Sequence, residues 1–539
     1  MSTASLNGST PGAQTTARGG RSRWWVLVAM VFGLFMPMLD NLVVNVALPT
    51  IQRRLGAGIS ELQWIIDAYT LTFAAFMLTG GTLADHYGRK RLFLVGLSIF
   101  TLGSLTCGLS SGIHELIAFR ALQGLGATML LPGSLSILTA TFAGRERGAA
   151  IGIWSASSGL AVAIGPLVGG FLVQHVGWQA IFFVNVPIGV LALALTVVVV
   201  PESRDTSRSR RLDPPGVLTG TLGLLALVYA TIEGNTRGWT NGSILGAFAL
   251  AAVLLGAFVW IEAHRASPML PLGFFRVPTL AAAIGVAAAV FFALFGVTFF
   301  FSLYLQDIQG YSPIGAGVRL LPFTAMILLL APLAGRLSDR FGSRWLMTGG
   351  TGLLAIGLAL GLRLQVGSSY SSVILPSLMV MGAGMALTMS PMTAAVLGSV
   401  DPSRAGVASA TEMTSQQVGG VAGVALLGAV VTGAFRQEFA AHLATTGLPH
   451  SVVSAILART GASAVAGATP VHAAPPGTSV AVIAGVVAAA RGSFVQALHR
   501  GLFVAVGITL LASLVSLIFV RSHVGRGPGP GQDVPPHDA

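Results

Sequence analysis

Six residues of this chain could handle charge where charge is costly: Asp40, Asp67, Arg120, Gln123, Glu412 and Gln416. Arg120 lies about eight residues into an apolar run, where an arginine costs roughly 2.5–3.5 kcal/mol on insertion scales. Helical spacing puts Arg120, Gln123, Gly124 and Ala127 on one face, which lipid cannot solvate and which should therefore line a cavity. Asp40 follows Pro37 by three residues; the proline removes the hydrogen bond to the Gly33 carbonyl and kinks a helix. Asp67 and Glu412 lie in other apolar runs, with Ser415 and Gln416 on the face of Glu412. A buried carboxyl group whose partners change can load and release a proton, because burial favours the acid and a nearby cation favours the carboxylate. Each acid could instead be half of a structural ion pair. Four ionisable groups buried together favour an ion or solute path.

Other apparent chemistry fails for lack of context. Gly108–Gly112 fits G-x-S-x-G, but it sits at the end of an apolar run with no strand–turn–helix around it. Asn7 and Asn241 fit the glycosylation pattern, which is frequent by chance. Cys107 is the only cysteine, so no intrachain disulfide or paired-cysteine zinc site can form, and the ten histidines lack metal-ligand spacing. No phosphate-binding G-x-x-x-x-G-K-[ST] loop occurs. The expectation is no enzyme, no cofactor and no metal.

The densest charge lies in GTLADHYGRKR, Gly81 to Arg91, and an imperfect copy, GRLSDRFGSRW, begins at Gly335, about 250 residues later. Gly81 and Gly335 allow a neighbouring helix to come close. Gly88 and Gly342 supply a turn that few other residues could make. Asp85 and Asp339 can accept hydrogen bonds from a helix N-terminus or an arginine, and Arg89 and Lys90 add basic charge to the first copy. A loop that only set orientation by bulk charge would not need the pattern twice.

The surroundings of these residues are 53% hydrophobic and 9% charged, with a mean hydropathy of +0.79. Soluble domains carry about 25% charged residues, so a bilayer is the solvent that suits this chain. The net charge of +12 is scattered between apolar runs with no basic face, which argues against nucleic acid. Apolar runs predict an all-α polytopic protein with fourteen spans at 24–48, 62–84, 92–110, 113–138, 149–173, 179–200, 215–233, 243–262, 279–304, 314–336, 346–363, 371–396, 405–433 and 498–520. The run from Trp24 is too long for a signal core and lacks a cleavage site. Placing the N-terminus and every second loop on one side puts about 20 of the 30 Lys and Arg there, so both termini are expected in the cytoplasm. The loop copies then lie eight spans apart. Two six-span halves, 24–200 and 279–520, joined through 201–278 with two inserted spans packed outside both halves, account for that offset. The tails are 1–23 and 521–539, and 434–497 is an extracellular segment.

The GTLADHYGRKR loop resembles the signature of the major facilitator superfamily, and RALQGLGA (120–127) resembles its fourth-span motif. LDNLVVNVALP (39–49), QWIIDAYTL (63–71) and TEMTSQQVGGVAGVAL (411–426) are similar to the fourteen-span drug:proton antiporters of the EmrB/QacA type. GLAVAIGPLVGG (159–170) resembles a fifth-span motif associated with antiporters. From residues alone, Gly159, Gly165, Pro166, Gly169 and Gly170 read as a kinked, close-packing seam. The resemblance covers almost the whole chain, although Ser343 stands where the first loop has a basic residue, and neither the termini nor 434–497 match a motif.

The resemblance implies a major facilitator fold of two six-helix halves plus two inserted helices, exporting a lipophilic small molecule in exchange for protons by alternating access. It implies a bacterial cytoplasmic membrane and a monomer that confers antibiotic resistance. Asp40, Asp67, Arg120, Gln123, Glu412 and Gln416 are the expected proton and substrate sites, and the two loops the expected cytoplasmic gate. A proton-coupled importer on the same fold, or a membrane sensor or enzyme, are the alternatives.

Overall fold

The computed structural model describes residues 20–142, 144–203, 213–265, 268, 270, 272–400, 405–444 and 480–521. Every regular element among them is helical. The first part contains α1 (Gly20–Leu55), α2 (Ile59–Tyr87), α3 (Arg89–Leu109), α4 (Ile113–Thr141), α5 (Gly144–His175), the short α6 (Ala180–Phe183) and α7 (Asn185–Val199). Then come α8 (Pro214–Arg237) and α9 (Gly242–His264), followed by α10 (Pro278–Leu303), α11 (Pro313–Phe341), α12 (Ser343–Leu360), α13 (Leu375–Gly398), α14 (Ala405–Ala444) and α15 (Val480–Phe519).

Among the described residues, twelve helical stretches are long and apolar enough to cross a membrane. The remaining two long helices, α2 and α5, have 29 and 32 residues. They carry Glu61, Asp67 and Asp85, and Arg145, Glu146 and Arg147, respectively.

The helix ends follow local chemistry. The Asp213 carboxylate accepts from Gly216 N at 3.0 Å, the Asn241 side chain from Ser243 N at 2.9 Å, and the Ser312 hydroxyl from Gly315 N at 3.2 Å. Each satisfies an amide that the first helical turn leaves without a partner. Gly88 and Gly342 have φ of 112° and 82°, a left-handed region that only glycine enters freely, and each makes the turn between two helices. The turn expected from the repeated loop is therefore present in both copies. Pro187 has no N–H for the Phe183 carbonyl, which accounts for the break between α6 and α7.

The repeat continues into packing. Gly96 of α3 meets Gly126 of α4, and Gly350 of α12 meets Gly384 of α13, each backbone to backbone. Without a hydrophobic driving force between helices in lipid, such close van der Waals contact is the main source of cohesion. Across the halves, α2 packs on α14 and α5 on α11, while α1 meets α10. Among the described residues, four of the hydrogen bonds joining the halves lie near the ends of α1 and α10, the face opposite the one where α1 begins. There Ser302 Oγ donates to Asn45 O (2.5 Å), Gln306 Nε2 to Val46 O (2.8 Å), Ile314 N to the Gln174 side-chain oxygen (3.4 Å) and Arg53 Nη1 to Asp307 Oδ1 (2.8 Å).

Two features differ from the sequence reading. First, α14 runs on to Ala444 and α15 starts at Val480, well beyond the expected limits at 433 and 498. The alanine-rich extensions bury Phe439 and Leu443 in one cluster with Val486, Ala490 and Phe494, and Arg500 bonds Glu438 at 2.5 Å. Residues 445–479 lie outside the described residues. Second, the inserted pair is only half peripheral. Helix α9 packs chiefly on α8, but α8 lies against both α2 and α14, with Val228 and Ile232 in one cluster with Leu71, Val421 and Ala425. Asn235 of α8 also donates to Ala429 O of α14.

Candidate functional site

The centre of the first half holds a closed polar cluster. Asp40 Oδ2 accepts from Arg120 Nη1 at 2.5 Å. Asp40 Oδ1 accepts from Gln123 Nε2 at 2.9 Å and from Asn185 Nδ2 at 3.0 Å. Arg120 Nε donates to Ile65 O at 3.0 Å, and its Nη1 also reaches Gln123 Oε1 at 2.7 Å. Gln123 Nε2 further donates to Ser104 Oγ at 2.7 Å. The guanidinium lies 4.3 Å from the centre of the Tyr69 ring. Helices α1, α2, α3, α4 and α7 each supply one or more of these groups. Arg120, Gln123 and Asn185 are 0% exposed and Asp40 is 1%.

This burial makes the cluster costly to form. Two charges removed from water lose several kcal/mol each, which their attraction offsets only with good geometry and satisfied remaining donors and acceptors. The geometry here is good for the carboxylate, which has three N–H donors. A hydrophobic trio of similar volume would hold α1, α4 and α7 together as well or better.

Of the six residues singled out in the sequence, Asp40, Arg120 and Gln123 come together; the other three do not join them. Asp67 is fully buried and neither carboxylate oxygen has a hydrogen-bond partner. It lies between Gln63, which donates to Val424 O of α14 at 2.7 Å, and Leu71, which clusters with Val421 and Ala425 of α14. Helical spacing therefore turns Asp67 toward the junction of the halves. Glu412 belongs to the second half, where it accepts from Thr393 Oγ1 at 2.7 Å and from Gln416 Nε2 at 3.4 Å.

In the first loop, the side chain of Asp85 lies outside the described residues, as does that of Asp339 in the second copy and as do the surroundings of Gly81 and of Gly159 in α5. Lys90 Nζ donates to Val197 O at 2.8 Å, Lys90 N to Glu202 Oε1 at 3.1 Å, and Arg89 N to Ser203 O at 3.0 Å. Glu202 thus caps α3 from the far end of the half, a role hidden in what reads as linker. In α5, Gly165 and Gly169 lie against Leu42 and Val43 of α1. Gly170 meets the Ile314 backbone, and the Pro166 carbonyl meets Gly317 of α11. This glycine–proline segment therefore sits where both halves converge.

The sequence reading missed Asn185, Ser104 and Tyr69 because it sought ionisable groups; Asn185 in FFVNVP, beside the break before Pro187, was the available signal. It also missed Asp307, whose partner Arg53 belongs to the other half.

Comparison with known proteins places this architecture. Residues 30–424 match the Major Facilitator Superfamily, and the chain belongs to that family of membrane transporters. It is 40% identical over 431 residues to the multidrug resistance protein Stp of Mycobacterium tuberculosis, covering 80% of this chain and 78% of that one. It is 33% identical over 506 residues to the tetracenomycin C resistance and export protein of Streptomyces glaucescens, covering 94% and 93%. A bacterial homolog of the human lysosomal transporter Spinster, solved in an inward-facing and occupied conformation, shares the fold with a TM-score of 0.63 at 19% identity, covering 95% and 100%.

Proposed function

We propose that this chain exports lipophilic drugs or antibiotics from a bacterium in exchange for protons, by alternating access, and so confers resistance. It crosses the cytoplasmic membrane fourteen times as in the EmrB/QacA type, α2 and α5 completing the twelve apolar stretches, with both termini inside and the monomer as working unit. The carrying observation is the Asp40–Arg120–Gln123–Asn185 cluster, a buried carboxylate whose bonds join several helices of one half. Its protonation state can therefore bias how that half packs. Glu412 and Gln416 offer polar contacts for cargo from the other half, and Asp67 a second proton site at the junction. The names of the relatives, multidrug resistance and tetracenomycin C export, support the cargo class. The driving force is adequate. A potential of 100 mV supplies roughly 2.3 kcal/mol per charge. A pH unit adds about 1.4 kcal/mol, enough with the potential for roughly a 500-fold gradient of a neutral compound.

Expression in a drug-sensitive bacterium tests the reading. Raised inhibitory concentrations and lowered accumulation of at least one lipophilic antibiotic, both abolished by a protonophore, are expected. Raised accumulation would identify an importer.

With the N-terminus inside, the face closed by Arg53 and Asp307 is the outer one. The Asp307 side chain is 3% exposed but that of Arg53 is 41% exposed, so solvent screens the pair and its worth is about 1 kcal/mol, or roughly fivefold in an equilibrium. Asp307→Asn should speed labelling of an Ala47→Cys reporter from outside by about that factor, in a Cys107→Ser background. The swapped pair Arg53→Asp with Asp307→Arg should bring it back. Unchanged labelling in Asp307→Asn would remove the pair from the outer gate.

A further inference from the structure

Asn185 has one half of its amide satisfied and the other not. Its Nδ2 donates to Asp40 Oδ1 at 3.0 Å, while its Oδ1 is buried without a hydrogen-bond partner. An amide oxygen stranded in a protein interior costs about 1–3 kcal/mol. Most buried polar atoms avoid that cost, and this one sits beside the carboxyl group on which the proposed function turns.

The surroundings of Asp40 sharpen the question of what happens when that group takes a proton. As a carboxylate it accepts from Arg120, Gln123 and Asn185. As an acid it must donate one bond, and nearly every group around it is a donor. Arg120 has no acceptor atom. Gln123 Oε1 already accepts from Arg120 at 2.7 Å and faces the Cys107 thiol at 3.9 Å. Ser104 Oγ accepts from Gln123 Nε2. Tyr69 presents its ring face to Arg120. Among the three side chains that bond Asp40, the acceptor without a partner is Asn185 Oδ1, which a half-turn of the amide about its last side-chain torsion, a broad and roughly two-fold rotor, brings onto Asp40.

We propose that Asn185 is the amide switch that lets Asp40 be protonated inside the closed cluster. The proton comes from solution and bonds to Asp40 Oδ1, the oxygen without a charged donor. Asn185 turns, its Oδ1 accepts that O–H, and its Nδ2 moves to where Oδ1 was. Gln123 Nε2 still donates to the same Asp40 oxygen, now a hydroxyl, and Arg120 keeps its bond to Oδ2. On deprotonation the amide turns back. Asn185 is thus a positioning residue for the proton step, and the proposal rests on the reading of Asp40 as the proton site.

Infrared pH-difference spectroscopy on the purified full-length chain tests it without any cargo. Wild type should show a carboxylic-acid band together with a shifted side-chain amide band. Asp67 and Glu412 can also give acid bands, so the contribution of Asp40 is the part lost in Asp40→Asn. Asn185→Val should diminish the amide band, leaving only what Gln123 contributes, and displace the acid band of Asp40. Asn185→Ser, whose hydroxyl can both donate and accept, should diminish the amide band equally but keep the acid band near its wild-type position, with helical content unchanged. An Asp40 acid band unmoved in Asn185→Val, or an amide band undiminished there, would overturn the switch while leaving the role of Asp40 intact. An acid band unaltered in Asp40→Asn would instead remove Asp40 as the proton site, and the switch with it.

Discussion

Asp40→Asn should reduce proton-driven efflux on the order of a hundredfold or more, the lower range for losing a positioned proton-transfer group, while the chain still reaches the membrane folded. Asparagine keeps the size of the side chain and one acceptor oxygen, so contacts with Gln123 and Asn185 can largely persist. It cannot exchange a proton in the operating range. The cost to stability comes from Arg120. Removing one partner of a buried pair costs about 3–5 kcal/mol when the other charge is left alone. Arg120 is not left alone, because Ile65 O, Gln123 Oε1 and the Tyr69 ring still face it. The loss should therefore fall below that range. The check is efflux per folded molecule, with the folded amount measured by size-exclusion of a fluorescent fusion. Normal efflux in this variant would remove Asp40 from the mechanism.

The largest effect on folding is expected at Gly126. A side-chain carbon there would run into Phe100 N and the Gly96 carbonyl of α3, backbone atoms that cannot turn aside. Gly126→Val must separate α3 from α4, and overpacking of this kind costs about 1–3 kcal/mol or more. The same helix carries Arg120 and Gln123, so the displacement also reaches the polar cluster. We expect folded yield to fall by about tenfold, in line with the upper part of that range for a marginally stable protein. Gly246→Val in α9 is the control, since nothing lies within 4 Å of the added carbon. Equal yields from the two variants would mean that α3 and α4 do not depend on the glycine contact.

The sequence announces what local spacing can encode. Arg120 and Gln123 share a face because they are one helical turn apart, and Gly88 and Gly342 are legible because the pattern around them repeats. Asp40 stands out as an acid in an apolar run, but its pairing with Arg120 emerges only from the packing of α1 on α4. What stays hidden depends on long-range geometry. Asp67 and Glu412 look equivalent to Asp40 in the chain, yet helix packing sends one to the junction and the other into the second half. Arg53 and Asp307 meet only because α1 and α10 close one face. Asn185 is neutral, and neutrality concealed it from a search for charge. The extensions of α14 and α15 were hidden for a different reason: each helix runs to 40 residues, about twice the length that crossing a bilayer requires, so span length gives no sign of where it ends.

The account stands or falls on exchange of protons for cargo. The direct measurement uses everted membrane vesicles with an acidified lumen, a pH-sensitive dye and a compound to which the chain confers resistance. Adding the compound should raise the lumen pH in vesicles carrying the wild-type chain, as protons leave and cargo enters, and should leave it unchanged with Asp40→Asn. Accumulation of the compound in wild-type vesicles with no movement of protons, or with further acidification of the lumen, would contradict it.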